Sequence, residues 1–238
     1  MIGIRLLIDT SKCVACRACQ VACQQWHSLP SEDTTFTGTY QNPPDVSGAN
    51  LTVAKFFEVY DTKLNWLFFK DQCRHCENPF CLQRCPLNAI IRDATTGIVR
   101  IDPVKCDPSI CHGAETKPCQ VQCPYGIPEY KYVKDGSLVR TVMRKCDFCY
   151  DRFDYDFNHD PLNNPTWDTG SRKPACELTC PPGAILSGDA DSILTEANNR
   201  VNYLKTDGFP DASVYPKQID DPTHVIWVLT KIWSVYGL

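Results

Sequence analysis

The chain lacks any apolar run near the roughly 20 residues that cross a membrane. The nearest candidate, residues 225–238, is short and broken by Lys231, and reads as a terminal strand or a docking segment. The first ten residues hold one arginine and too little apolar length for an export signal. Basic residues are not in surplus: 24 Lys and Arg stand against 28 Asp and Glu, a net charge of −4, which speaks against a nucleic-acid partner. No Walker A run and no Gly-rich dinucleotide fingerprint occurs. The five histidines are scattered. His75 and His112 adjoin cysteines and read as supporting or exposed groups; His27, His159 and His224 read as surface. No catalytic set emerges, so catalysis would need another chain. With 43% hydrophobic and 22% charged residues, disorder is excluded as well.

Cysteine is what the chain has in abundance: sixteen among 238 residues. They form four groups of four. The first is Cys13, Cys16, Cys19 and Cys23; the second is Cys73, Cys76, Cys81 and Cys85. The third is Cys106, Cys111, Cys119 and Cys123; the fourth is Cys146, Cys149, Cys176 and Cys180. The first group has the spacing of the bacterial ferredoxin run that holds [4Fe–4S] clusters. The last two cysteines of every group are separated by three residues, and Pro86, Pro124 and Pro181 follow groups two to four, with Gln24 in that place in the first. Such spacing predicts a short helix carrying both cysteines, ended by the proline.

Two plainer readings fit less well. Disulfides favour short secreted chains. Zinc takes C-x2-C pairs, but zinc sites do not crowd cysteines in this way four times over. Each [4Fe–4S] cluster takes four thiolates, so sixteen cysteines make four clusters with none left over.

The fourth cysteine of such a run ligates the other cluster of a two-cluster ferredoxin. Groups two and three are adjacent and share a predicted hairpin at 89–101, so they are expected to pair. Cys73, Cys76 and Cys81 then take Cys123, while Cys106, Cys111 and Cys119 take Cys85. Groups one and four form the other pair: Cys13, Cys16 and Cys19 take Cys180, while Cys146, Cys149 and Cys176 take Cys23. The expected fold is α+β: two ferredoxin-like modules, each of two clusters, one inserted in the other. The outer module spans 1–68 and 138–188, the inner one 69–137, and 189–238 forms a C-terminal helix and partner-docking tail.

Outside the cysteines, 53–60 reads as a strand and 150–174 as a polar surface loop. Residues 189–205 read as an amphipathic helix with Ile193, Leu194, Ala197, Val201 and Leu204 on one face, Asp189 as cap and Gly208 past its end. Lys12, Arg17, Arg74, Lys105, Arg144 and Lys145 lie beside candidate ligands and are candidates for tuning cluster potentials.

The four-group pattern over residues 13 to 181 resembles the iron–sulfur (beta) subunits of molybdopterin oxidoreductases of the dimethyl sulfoxide reductase family. Cys16-Arg-Ala-Cys19-Gln-Val-Ala-Cys23-Gln-Gln-Trp26, Leu29-Pro30, Thr37-Gly38 and Gln41-Asn42-Pro43-Pro44-Asp45 narrow the resemblance. So do Trp66-Leu67-Phe68-Phe69, Gln72-Cys73-Arg74-His75-Cys76, Pro174-Ala175-Cys176, Thr179-Cys180-Pro181 and Gly188-Asp189. Together they are most similar to the small subunit of tungsten or molybdenum formate dehydrogenase. The resemblance implies a non-catalytic wire of four [4Fe–4S] clusters. It would lead from a molybdopterin-containing catalytic (alpha) subunit to a cytochrome, a ferredoxin or a membrane quinone-reducing subunit. Membrane-bound relatives carry a transmembrane helix, which this sequence lacks. The implied location is periplasmic, by co-export with a signal-bearing partner, or cytoplasmic. A wire for another molybdopterin reductase or a hydrogenase is the near alternative, and a free-standing polyferredoxin the distant one.

Overall fold

The computed structural model describes residues 3–111, 117–135, 138–152, 173–218 and 222–238. His112, His159 and most of the expected 150–174 loop lie outside these residues.

The structure is organised about a four-stranded sheet that joins the two ends of the chain. Its first strand, β1 (Ile4–Asp9), precedes the first cysteine group. The helix α1 (Ala18–Trp26) carries Cys19 and Cys23. A long hairpin follows, β2 (Val53–Tyr60) with β3 (Leu64–Asp71), in which Val53 pairs with Asp71 and Tyr60 with Leu64. The next segments are α2 (Phe80–Gln83), the hairpin β4 (Ile90–Arg92) and β5 (Val99–Ile101), and α3 (Pro118–Val121). A third hairpin, β6 (Glu129–Asp135) and β7 (Leu138–Arg144), precedes α4 (Ala175–Leu178). The chain ends with β8 (Ile185–Asp189), α5 (Ala190–Thr206), β9 (Ser213–Tyr215), β10 (Val225–Leu229) and a 3-10 turn, Trp233–Tyr236.

The sheet runs β8-β1-β10-β9. β1 lies parallel to β10, Leu6 opposite Val225, and antiparallel to β8, Ile4 opposite Asp189. Both central strands are buried throughout. Their side chains alternate between faces, as the two-residue period of a strand requires. Ile4, Leu6, Ile8, Val225, Trp227 and Leu229 pack with Leu67, Phe69, Ile98, Phe148 and Tyr236. Leu7, Ile226 and Val228 face the other way, onto Ile193, Ala197, Val201 and Leu204 of α5. A strand covered on both faces reads as a continuous apolar run, and Val225-Ile-Trp-Val-Leu229 is such a run. Of the two readings of the tail, these five residues are therefore the strand. They form the middle of the main core, not a surface for docking.

Helix α5 agrees with its expected extent and face. Asp189 caps it, accepting from Ser192 N–H at 2.9 Å. The single-turn helices α2, α3 and α4 stop before Cys85, Cys123 and Cys180 respectively. Prolines 86, 124 and 181 then follow those cysteines, whereas Gln24 lets α1 run on to Trp26. Helix α1 packs against α4, and α2 against α3.

The β4–β5 turn matches the expected hairpin. Asp93 Oδ1 accepts from Thr95 N–H, Thr96 N–H and the Thr96 hydroxyl at 2.7 to 3.0 Å. Gly97 has φ +76, and a Cβ there would overlap the His224 ring. Only glycine meets both conditions. The β6–β7 hairpin runs across the module boundary expected at 137/138. Val142 and Met143 of β7 pack with Ala89, Ile90, Val99, Cys106 and Cys119.

Candidate metal centres

All sixteen cysteines are free, with no disulfide among them. Only Cys16 is exposed. Burial holds most of their thiols above the ordinary range: Cys19, Cys81 and Cys146 are pushed up to about 12. A thiol in that state stays protonated and unreactive until a metal displaces the proton.

The cysteines converge on small cavities. One of about 390 Å³ is lined by Cys13, Cys16, Cys19 and Cys180 together with Ile8, Ala54, Ala184, Ile185 and Lys70. A second, of about 330 Å³, is lined by Cys23, Cys146, Cys149 and Cys176 with Leu6, Phe148, Lys70 and Gln72. A third, also about 330 Å³, is lined by Cys85, Cys106, Cys111 and Cys119 with Leu87, Ile90, Tyr130 and Met143. Cys73 and Cys123 flank a fourth cluster of side chains, against Val46, Val53, Ile127 and Tyr125. Cys81 feels the charge of both of them. Cys76 follows one turn of loop later and pairs with Thr223 in an isolated bridge.

Three of the four C-x2-C loops share one local device. The residue before the second cysteine has positive φ: Ala15 at 51°, His75 at 50° and Phe148 at 64°. A left-handed residue after right-handed or extended ones turns successive N–H groups inward, the backbone nest that binds anions. Accordingly His75 N–H reaches Cys73 Sγ at 3.5 Å and Phe148 N–H reaches Cys146 Sγ at 3.4 Å. The fourth cysteines are served similarly, by Ala89 N–H to Cys85 and Ala184 N–H to Cys180, both at 3.3 Å. Met143 N–H lies 3.4 Å from Cys106 Sγ. Most hydrogen bonds to sulfur thus come from backbone, as the tight loops lead one to expect. The exceptions among the described residues are the His27 ring, 3.9 Å from Cys149 Sγ, and the Tyr130 hydroxyl, 2.8 Å from Cys119 Sγ. Burial and that sulfur raise its pKa, so it remains a donor to a thiolate.

A cluster held here would need thiolates, apolar walls and buried donors. The cavities supply the first two. Gln72 supplies a donor: it is fully buried, its Oε1 accepts from Lys70, and its Nε2 has no partner among the described residues. An unpaired buried amide costs on the order of 1–3 kcal/mol, and a cluster sulfur would relieve that cost. The donor set therefore fits [4Fe–4S] clusters.

The expected tuning cations divide. Lys12 and Lys105 are exposed beside Asp9 and Asp102, at 3.9 and 3.8 Å. Arg17 lies over the Phe56 ring and lines the first cavity. Arg74 is buried, paired with Asp71 and placed over Tyr125 and Trp227 at 4.7 and 4.9 Å. Arg144 lines a larger, more open cavity with Arg100, His27 and Asp147. Lys145 is buried, its ammonium donating to the carbonyls of Val99 and Cys146. Lys70, which sequence spacing missed, is buried between two cavities, 47 residues after Cys23 and 76 residues before Cys146, and no linear signal marks it. Burial alone would lower its pKa, but Cys176, Cys19, Cys146 and Cys23 outweigh burial and raise it.

Two of the histidines expected at the surface are not there. His224 is fully buried, with Nδ1 2.6 Å from Ile4 O and Nε2 2.9 Å from Glu77 Oε2, because the β10 approach runs through the core. His27 is half-buried, 3.3 Å from Asp147 and 3.9 Å from Cys149 Sγ. Burial opposes its charge, yet the hydrogen bond it donates to the Asp147 carboxylate prevails and its pKa is raised. His75, expected as a supporting group, is fully buried, and its Nδ1 accepts from Val99 N–H at 3.0 Å.

No helix among the described residues is long and apolar enough to cross a membrane. Residues 64–161 match the model of a 4Fe-4S dicluster domain. The chain is 37% identical over 94% of its length to the nitrate-inducible formate dehydrogenase iron-sulfur subunit of Escherichia coli K12, covering 67% of that protein. It is 37% identical to the formate dehydrogenase 2 beta subunit (cytochrome c-553) of Nitratidesulfovibrio vulgaris, with 94% and 92% of the two chains covered. It is 35% identical to the formate dehydrogenase beta subunit of Megalodesulfovibrio gigas, with 87% and 86% covered. Identity of this order across nearly the whole of two relatives places the chain in the family of formate dehydrogenase iron–sulfur (beta) subunits.

Proposed function

We propose that this chain is the electron-conducting subunit of a formate dehydrogenase and holds four [4Fe–4S] clusters in a row. The observation that carries the reading is the make-up of the cavities: each draws cysteines from two groups, the adjacent second and third in one and the first and last in the other two. The first site is Cys13, Cys16, Cys19 and Cys180. The second is Cys23, Cys146, Cys149 and Cys176. The third is Cys73, Cys76, Cys81 and Cys123. The fourth is Cys85, Cys106, Cys111 and Cys119. The packing of α1 on α4 and of α2 on α3 supports the same exchange of ligands. It also supports an inner ferredoxin-like module inserted in an outer one, with the boundary after β7 rather than at 138.

The clusters supply one-electron chemistry when bound. The chain's own residues hold them, donate backbone N–H groups to their sulfurs and exclude water with apolar walls. The sites follow one another in space. Cys19 of the first and Cys23 of the second share α1. Cys73 of the third acts on Cys146 of the second. Cys119 of the fourth acts on Cys81 of the third. Cys16 at the first site is exposed, which suits an end of the relay.

The partner is a molybdopterin-containing catalytic subunit that oxidises formate. A c-type cytochrome is the acceptor proposed, since cytochrome c-553 stands in the name of the relative from Nitratidesulfovibrio vulgaris. The compartment follows that acceptor: the folded chain is exported with a signal-bearing partner. Replacing Cys23 tests the ligand exchange. Cys23→Ser should alter the EPR signal of the site built on Cys146, Cys149 and Cys176, and leave the site of Cys13, Cys16 and Cys19 unchanged. The reverse result would overturn the assignment.

A further inference from the structure

Two lysines are buried where an ammonium is costly to place. Lys70 on β3 is 2% exposed, and Lys145, directly after β7, is 5% exposed. Removing such an ion from water costs several kcal/mol unless negative charge lies close by. Among the described residues neither makes an ion pair with a carboxylate. Lys70 donates to Gln72 Oε1, and Lys145 to two backbone carbonyls. These are neutral acceptors.

What surrounds both ammonium groups is sulfur, and in each case sulfur from two different sites. Lys70 lines the cavity of Cys13, Cys16, Cys19 and Cys180 and also that of Cys23, Cys146, Cys149 and Cys176. It is the one residue common to the two linings. Lys145 follows the same rule one step further along. Its ammonium is 3.0 Å from the carbonyl of Cys146 in the second site, and against its burial act the charges of Cys73 and Cys81 of the third site, of Cys146 and of the Asp147 carboxylate. A thiolate-held cluster is anionic and gains negative charge on reduction, so a fixed cation beside it favours the reduced form. A cation between two clusters favours reduction of both.

We propose that Lys70 and Lys145 are shared cationic bridges, Lys70 between the first and second clusters and Lys145 between the second and third, each raising the potentials of both its neighbours. The inference rests on the four-cluster reading given above. Gln72 belongs to the same device. Its oxygen is turned to Lys70, which leaves its unpaired Nε2–H free for the second site. The two residues are positioning groups: they touch no substrate and act through the clusters.

The test is an EPR-monitored redox titration of the purified complex of this chain with its catalytic subunit. Iron analysis comes first, because fewer than about sixteen iron atoms per wild-type chain would remove the four-cluster reading itself. In fully loaded Lys70→Met complex, two of the four signals should become harder to reduce together. The expected change is about tenfold in the reduced-to-oxidised ratio at fixed potential, or about 59 mV for a one-electron couple. Lys70→Arg, which keeps the charge, should restore both signals to within about threefold of wild type. Lys145→Met should shift two signals, one of them shared with the Lys70→Met pair. If Lys70→Met assembles with less iron, Lys70→Gln and Lys145→Met decide by the same criterion. A fully loaded neutral variant in which no signal moves, or only one, overturns the proposal.

Discussion

Single residues set the shape of the cysteine loops. Ala15, His75 and Phe148 accept left-handed backbone that their side chains disfavour, and in return the loops direct N–H groups at sulfur. A ring or methyl at these places gives no sequence signal for that conformation, since glycine would be the expected choice. Gly97 does carry the signal, and its role is testable. Gly97→Ala forces a methyl against His224 and strains φ +76. The variant should be destabilised by about 1–3 kcal/mol, measured by denaturant unfolding of the loaded protein. At the same end of the main sheet, Asp189 caps α5. Asp189→Ala should cost about 1 kcal/mol, read as a lowered midpoint in the same experiment. The Ser192 N–H bond holds the Asp189 carboxyl below its ordinary pKa, although burial works the other way. Its contribution is therefore present above the unfolded-state value of about 3.9 and is lost as pH falls through the lower folded-state value. The gap between wild type and Asp189→Ala should narrow on acidification through that window. A constant gap would show that the cap is not acting as a carboxylate.

Among the elements, β10 changes most between sequence and structure. A run of apolar residues near the end of a chain reads equally as a terminal strand or as a patch for a partner. Pairing decides between them: Leu6 to Asp9 of β1 meet Val225 to Val228 in register, and Trp227 Nε1–H reaches Lys70 O at 3.0 Å. Truncation before Val225 should therefore abolish folding and iron incorporation, not merely weaken a complex. Soluble expression with a full complement of iron would refute this. Truncation after Leu229 removes the exposed Ile232 and Trp233 along with the buried Tyr236. The short cysteine helices are shorter than their spacing implies: α2, α3 and α4 carry only the third cysteine of their groups and end before the fourth and its proline, whereas α1, with no proline after Cys23, carries both Cys19 and Cys23.

At the scale of the whole molecule, the reading predicts about sixteen iron and sixteen acid-labile sulfide per chain, from four thiolates per cluster. About twelve in anaerobically purified protein would mean that one site is vacant. The isolated chain should not reduce viologen dyes with formate, and activity should return on adding the catalytic subunit. Turnover by the chain alone would sink the wire reading. Cysteine spacing alone suggested the ligand sets, and three cavities gather cysteines in those combinations. Cysteine spacing is local, and chemistry allows few uses for four thiols within one or two turns of chain. Sequence alone was enough for α5 and the β4–β5 hairpin, whose apolar periods and turn residues lie within one window. Tertiary structure alone decided that Lys70 would stand between two cysteine cavities, that His224 would be buried, and that 225–229 would be a central strand. Each of these depends on which distant segments pack together, and the energy of burying a charge or an apolar strand is set by neighbours contributed from the far end of the chain.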